Sequence, residues 1–260
     1  MTHPFFDSPA PRVFAHRGLT TPGDEHAENT LAAVAAALSA GAAYVESDCH
    51  ATRDGRVVLF HDDTVERITG DPRPVADLTL RELAALMEDR GGLLTLDDAL
   101  DGFPDARWNL DVKAAAAAEP VGRLVAPHAH RVLVTSFSDE RRRAALVAAA
   151  AAGAPLPPAT SGGSATIARV VAAVMSRSRR LSTRMLRGVD ALQIPERQGR
   201  VRVLSDRLVR FAHAAGVEVH VWTVNDVDRM QALVARGVDG IVTDRVDLAL
   251  DALRNPPSGA

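Results

Sequence analysis

Short runs of Val, Leu, Ile and Ala recur along the chain, separated by longer stretches of helical period. The runs stand at Val13–Ala15, Ala43–Asp48, Trp108–Val112, Val132–Thr135, Pro158–Thr160, Ala191–Ile194, Val217–Trp222 and Gly240–Thr243. A short apolar run bounded by turn residues reads as a strand buried on both faces. Eight such runs alternating with helices predict an α/β fold, a (β/α)8 TIM barrel rather than an open sheet. The fifth run is the weakest, because Pro157 and Pro158 lack the N–H groups a strand ladder uses.

Helix punctuation follows the same alternation. Asn29 or Thr30 opens a helix that Gly41 ends, and Ser138 opens one that Gly153 ends. Ser205–Ala215 stops at Gly216, and Asn225–Arg236 stops at Gly237. Side-chain oxygens serve the free N–H groups at the starts, and glycine accepts the left-handed turn at the ends. One stretch breaks the rhythm. Residues 62–94 carry Pro72 and Pro74 and then the capping box Thr79-Leu80-Arg81-Glu82, which predicts a small insertion between the second strand and the second helix. The whole of 1–260 reads as one domain with that insertion.

Composition narrows the class. Hydrophobic residues at 47% and charged residues at 24% are ordinary for a globular enzyme. A net charge of −3 leaves no footprint for general nucleic-acid binding. Cys49 is the only cysteine, so no internal disulfide forms, and its strand parity makes it a buried inert thiol. The first twelve residues have no basic and apolar leader pattern, and no run approaches the ~20 apolar residues of a membrane span. The expectation is a cytoplasmic enzyme without stable membrane insertion. Oligomeric state leaves no signature.

The chemistry concentrates between Ala15 and Asp63, in His16-Arg17-Gly18, Glu28-Asn29-Thr30, Glu46-Ser47-Asp48, Asp54-Gly55 and His61-Asp62. Glu46 and Asp48 share a strand parity, so both point to one side. A two-residue turn at Asp54-Gly55 would pair Arg53 with Arg56 and return His61 opposite Asp48, within one residue. The third strand ends in Asp111 and Lys113, again of one parity. Glu46, Asp48 and Asp111 together suit a hard divalent cation, Mg2+ or Ca2+, while Arg17 and Lys113 suit phosphate oxygens. Carboxylates left unpaired in such a cluster would be costly, which also argues for the cation. His50 has the parity of Glu46 and Asp48, and a packing or supporting role is expected of it. The basic stretch Arg177–Arg187 reads as a solvated face rather than a surface for anionic lipid. The other histidines, His26 among them, read as loop, surface or barrel-interior positions.

These residues resemble the glycerophosphodiester phosphodiesterase family. The likeness runs through His-Arg-Gly, Glu-Asn-Thr, Glu-x-Asp, Thr-x-Asp-Gly and His-Asp, continues at Arg67–Gly70, Leu78–Leu83 and Leu94–Leu100, and returns at Thr135-Ser136-Phe137, Val221–Asn225 and Gly240–Asp244. The resemblance implies a barrel with an insertion after its second strand, and hydrolysis of glycerophosphodiesters to sn-glycerol 3-phosphate and an alcohol. It implies His16 and His61 as the acid/base pair, with Glu46 and Asp48 as metal ligands. Arg17 and Lys113 would bind phosphate, Glu28 and Asn29 would line or brace the site, and Trp222 would wall the substrate pocket. The chain departs from the family where Ala27 replaces a proline and Asp111 replaces the glutamate usual for the third ligand. A phospholipase C/D-like or lysophospholipid-cleaving enzyme is an alternative, its acyl site built from the Trp222 surface and the 62–94 insertion. A non-catalytic phosphodiester-binding protein is a weaker one.

Overall fold

The computed structural model describes residues 3–20, 23 and 27–254; His26 lies outside them. Eleven strands are named in chain order. They are β1 Arg12–His16, β2 Tyr44–Ala51, β3 Val57–Leu59, β4 Arg107–Val112, β5 Val132–Thr135 and β6 Ala159–Thr160. After them come β7 Ala191–Ile194, β8 Arg197–Gln198, β9 Val201–Arg202, β10 Glu218–Val221 and β11 Gly240–Thr243. All eight expected barrel strands are present, and their parallel order is β6-β5-β4-β2-β1-β11-β10-β7. A parallel bridge from Ser161 to Ala191 closes the ring, so the fold is the expected TIM barrel. The proline-flanked β6 is the shortest barrel strand, with two residues.

One inward parity explains the molecule. Phe14, Tyr44 and His220 face the interior near the strand starts, where Phe5 and Phe6 of the N-terminal 3-10 turn plug the bottom. Phe14 and Tyr44 stand 4.9 Å apart, and Phe5 meets Tyr44 edge-on at 5.2 Å. Two residues further along β1 and β2 the same face turns polar. His16 pairs in register with Glu46, Glu46 with Asn109, and Asp48 with Asp111. An apolar plug thus holds up a floor of ionisable groups at the C-terminal rim.

The 62–94 insertion lies between β3 and the Leu96–Gly102 helix, with the expected capping box at Thr79. Its side chains Val65, Ile68, Val75, Leu78, Leu83 and Met87 pack with Val58 and Phe60 into a small core of their own. Among the described residues no helix is long and apolar enough to cross a membrane.

The β2–β3 hairpin keeps its register within the expected one-residue margin, but its loop is longer than the expected two residues. Cys49 pairs with Leu59 and Ala51 with Val57, which places Asp48 opposite Phe60 rather than His61. The loop has three residues, because Thr52 Oγ1 accepts from the Arg56 N–H and donates to Asp54, widening the turn before left-handed Gly55. His61 therefore sits just past the ladder, on the barrel rim.

Asp139 makes a second rim anchor. Its buried carboxylate accepts from the Gly163 N–H at 3.2 Å, the Thr166 N–H at 2.9 Å and Thr166 Oγ1 at 2.8 Å, beside Arg142 at 3.2 Å. This fixes the start of the Ser164–Met175 helix against the barrel. Although burial opposes the charge, the Thr166 and Gly163 donors hold Asp139 below the usual carboxylate range. Its contribution is therefore present above the unfolded-state value and is lost as pH falls through the folded one. Asp139→Ala is expected to cost about 3 kcal/mol in urea denaturation at neutral pH. The difference from wild type should shrink toward pH 3, and an equal difference at both pH values would refute the linkage.

Candidate active site

The floor of ionisable groups opens into a cavity of about 700 Å³. His16, His61, Glu46, Asp48, Asp111 and Lys113 line its polar end, with Arg17 beside them. Residues from β1, β2, β4 and the β3 exit, up to 97 positions apart, thus share one wall.

Local backbone sets Arg17. The residue adopts φ 59°, its N–H donates to the Glu46 carbonyl, and its carbonyl accepts from the Asn29 N–H. Gly18 follows at φ 93°, where a Cβ would lie 2.6 Å from the Ala33 carbonyl carbon, so the third position of His-Arg-Gly excludes a side chain. Asn29, also left-handed at φ 60°, donates through Nδ2 to Asp48 at 3.0 Å and accepts from Ser47 Oγ. Neither Glu28 nor Asn29 lines the cavity. Of the two places expected for them, lining or bracing, both take the bracing one, Glu28 through Arg17 and Asn29 through Asp48.

The two histidines are held alike. His16 Nδ1 lies 2.6 Å from Asp244 Oδ1, and Asp244 is fixed in turn by Asn225 Nδ2 at 2.7 Å. His61 Nδ1 lies 2.5 Å from Asp62 Oδ1, and Asp62 is fixed by Arg67 Nε at 2.6 Å. A carboxylate on Nδ1 sets the tautomer and leaves Nε2 as the open nitrogen. Burial pulls the His16 pKa down, but the Asp244 hydrogen bond and the Glu46 charge outweigh it and leave the ring above its usual value. His50 does not reach the cavity; its Nε2 lies 3.2 Å from the His61 carbonyl and supports that loop from below. Cys49 is fully buried, and burial raises its thiol well above the ordinary range.

An ion chain links the rim. Arg67 bridges Asp62 to Glu28, Glu28 holds Arg17 at 3.0 Å, and Arg17 Nε stands 3.1 Å from Asp48. Lys113 Nζ then bridges Asp48 at 2.9 Å and Asp111 at 2.8 Å. Asp48 is therefore well compensated, and its carboxyl is held below the usual range by Lys113 and Arg17 against the cost of burial. The expectation that the whole cluster lacks partners fails at this residue.

At two others it holds for one oxygen each. Glu46 Oε2 and Asp111 Oδ1 are buried with no hydrogen-bond partner, and Asn109 Oδ1 beside them is a third such oxygen. Burial first, then the Asp48 charge, pushes Glu46 up to about 8. Among the described residues, six carboxylates (Glu28, Glu46, Asp48, Asp62, Asp111, Asp244) face the fixed cations Arg17, Arg67 and Lys113, with the charge of Arg141 also acting on Asp111. Hard oxygen donors with orphaned lone pairs and surplus negative charge fit a divalent cation. Among the described residues no group of three ligands is already drawn together, since Lys113 stands between Asp48 and Asp111.

Asp244, Asn225 and Arg67 were not singled out from the sequence. Each lies in a stretch that shares the family likeness, and that position was the only signal. Trp222 is half-buried where expected and meets Phe137 edge-on at 5.8 Å across the cavity.

Residues 16–248 match the glycerophosphoryl diester phosphodiesterase family. The chain is 39% identical over 244 residues to the probable glycerophosphodiester phosphodiesterase 2 of Mycobacterium tuberculosis, covering 93% of this chain and 90% of that one. A glycerophosphodiester phosphodiesterase of Caldanaerobacter subterraneus is 27% identical over 93% of this chain and 97% of its own. A phosphodiesterase of Oleispira antarctica, solved with the product sn-glycerol-3-phosphate, shares the fold with a TM-score of 0.70. It has 23% identity over 94% of this chain and 97% of that one.

Proposed function

This chain belongs to the glycerophosphoryl diester phosphodiesterase family, and from that premise we propose how its site works. It is a glycerophosphodiester phosphodiesterase by class. In our reading it hydrolyses glycerophosphodiesters to sn-glycerol 3-phosphate and an alcohol, with one divalent cation, Mg2+ or Ca2+, and with His16 and His61 moving the protons. The observation that carries this reading is the matched pair of imidazoles, each held at Nδ1 by a carboxylate on the rim of one cavity.

A phosphodiester is anionic, so the surplus of carboxylates would repel it from this floor. Glu46, Asp48 and Asp111 would hold a hard divalent cation, which would supply positive charge against this repulsion and against the charge growing on the phosphoryl oxygens. Arg17 presents a planar fork to the same oxygens, and Lys113 a point charge, each already in the wall. One imidazole accepts the proton of the attacking hydroxyl at Nε2, and the other gives a proton to the departing alkoxide. Excluding a purely binding role is straightforward in this reading, because orienting both rings serves proton transfer and adds nothing to holding an anion.

The test is an assay over glycerophosphocholine, glycerophosphoethanolamine and glycerophosphoglycerol with Mg2+ or Ca2+ titrated in. Release of sn-glycerol 3-phosphate is expected, and no hydrolysis of any of the three with either ion would overturn the reading. Asp244→Asn is expected to lower kcat by roughly 10²-fold, since the His16 ring loses its orienting charge. KM should change far less, because Asp244 does not line the cavity. An unchanged kcat would remove Asp244 from the machinery.

A further inference from the structure

Among the described residues none of 62–94 lines the cavity, so the insertion does not build the acyl wall expected of it. One polar side chain that does line the cavity is used neither to hold phosphate nor to move protons. Gln193 of β7 is 8% exposed and faces the barrel interior beside His220 of β10, its partner in register. Its Nε2 lies 3.3 Å from His220 Nδ1, and among the described residues its Oε1 has no partner.

The sense of that amide is set from the bottom of the barrel. Arg12 of β1 donates through Nη2 to the carbonyls of Phe6 at 2.6 Å and Ser8 at 3.0 Å, and its Nη1 stands 3.0 Å from Glu218 Oε2. The same carboxylate oxygen lies 3.0 Å from His220 Nε2. Held by arginine, Glu218 can only accept, so the His220 proton sits on Nε2. The ring is fully buried, 4.8 Å from Phe14 and 6.1 Å from Phe6. It is also closely seated, since a Cβ at Gly240 would lie 2.7 Å from His220 Cδ2. A neutral imidazole protonated at Nε2 has a bare lone pair at Nδ1, which the Gln193 NH2 meets. The reversed amide would set two acceptors face to face. Oε1 is therefore the atom turned toward the cavity.

We propose that Gln193 sets specificity for the glycerol half of the substrate. Its Oε1 accepts a hydrogen bond from a glycerol hydroxyl, and Arg12, Glu218 and His220 hold the amide with that oxygen toward the site. The proposal rests on the hydrolase reading above and adds a residue to it. A neutral oxygen receives a hydroxyl without the repulsion that a further carboxylate would exert on phosphate. A substrate lacking that hydroxyl leaves a nearly buried oxygen without a donor, and a site built this way rejects the deoxy analogue.

The test takes the glycerophosphodiester cut fastest in the assay above and its two deoxy forms, each lacking one glycerol hydroxyl. All three are assayed with wild type and with Gln193→Met, the divalent cation supplied. Methionine is close to glutamine in length and offers no such acceptor. For one of the two hydroxyls, deletion is expected to lower the wild-type kcat/KM at least about tenfold, and to lower that of the variant by about threefold to tenfold less. Equal losses in the two proteins for both hydroxyls would overturn the proposal and leave the hydrolase reading standing. Nitrogen NMR of the histidine rings reads the chain of contacts in wild type without reference to catalysis. His220 is expected as the Nε2–H tautomer. An Nδ1–H tautomer would overturn the proposal, because the amide would then turn its oxygen to the ring. No hydrolysis of any substrate with either ion would overturn the hydrolase reading and the proposal together.

Discussion

His16→Ala and His61→Ala are each expected to lower kcat on glycerophosphocholine by about 10²–10⁴-fold, with the folded state little disturbed. The structure gives a reason for the second half of that expectation. Removing the His16 ring leaves Asp244 still bonded to Asn225 at 2.7 Å, and removing the His61 ring leaves Asp62 still bonded to Arg67 at 2.6 Å. Neither carboxylate is orphaned, so the large penalty for a buried unpaired charge does not arise. Both rings also stand at the cavity rim rather than in a packed core, which keeps the packing loss small. If both imidazoles serve one chemical step, the double variant should lose much less than the product of the single losses. Near-normal turnover by either single variant, at unchanged Tm, would sink the assignment.

The reason these residues were legible is periodicity. A barrel strand exposes alternate side chains inward, so Glu46 and Asp48, or Asp111 and Lys113, declare a common wall by their spacing alone. The order of Val, Leu and Ile runs likewise dictates eight parallel strands, and even Thr30, Thr79, Ser138 and Ser205 stand where their oxygens cap helices. Contacts between distant segments left no such trace. Asp244 reaches His16 across 228 positions, and Arg67 reaches Glu28 across 39, and spacing predicts neither. The hairpin loop is one residue longer because Thr52 recruits its own hydroxyl to the turn, a choice between two- and three-residue loops that Asp-Gly does not settle. The apolar side of the cavity was hidden for a different reason. The spacing of apolar residues in Ser164–Met175 does not tell which of them face the barrel and which look into the cavity; only the packing of that helix does.

Removing divalent cations with a chelator is expected to abolish turnover, and restoring Mg2+ or Ca2+ to raise the Tm as well as the rate. A ligand that binds only the folded state stabilises it by about 2.7 kcal/mol at one hundred times its Kd, so the thermal shift reports binding without reference to catalysis. Glu46→Gln keeps the size of the side chain and removes a buried carboxyl that ionises against burial and has an orphaned oxygen. The cation-free variant should therefore be at least as stable as wild type, while its thermal response to the ion disappears. Asp111→Asn tests the departure from the family's glutamate more sharply. Lys113 keeps its 2.9 Å contact with Asp48 in that variant, so the wall survives and only one anionic donor is lost. Cation affinity is expected to fall at least about tenfold, some 1.4 kcal/mol, and kcat at saturating cation to fall with it. The shorter side chain at 111 also bears on ion choice. Ca2+ accepts longer and less regular oxygen contacts than Mg2+, which demands near-octahedral geometry at about 2.0–2.1 Å. Parallel thermal titrations with the two ions would therefore show which one the aspartate favours. Full metal-dependent activity in Asp111→Asn would remove Asp111 from the ligand set. Glu46 and Asp48 would then hold the ion without it, and the unpaired oxygen at Asp111 would need another partner.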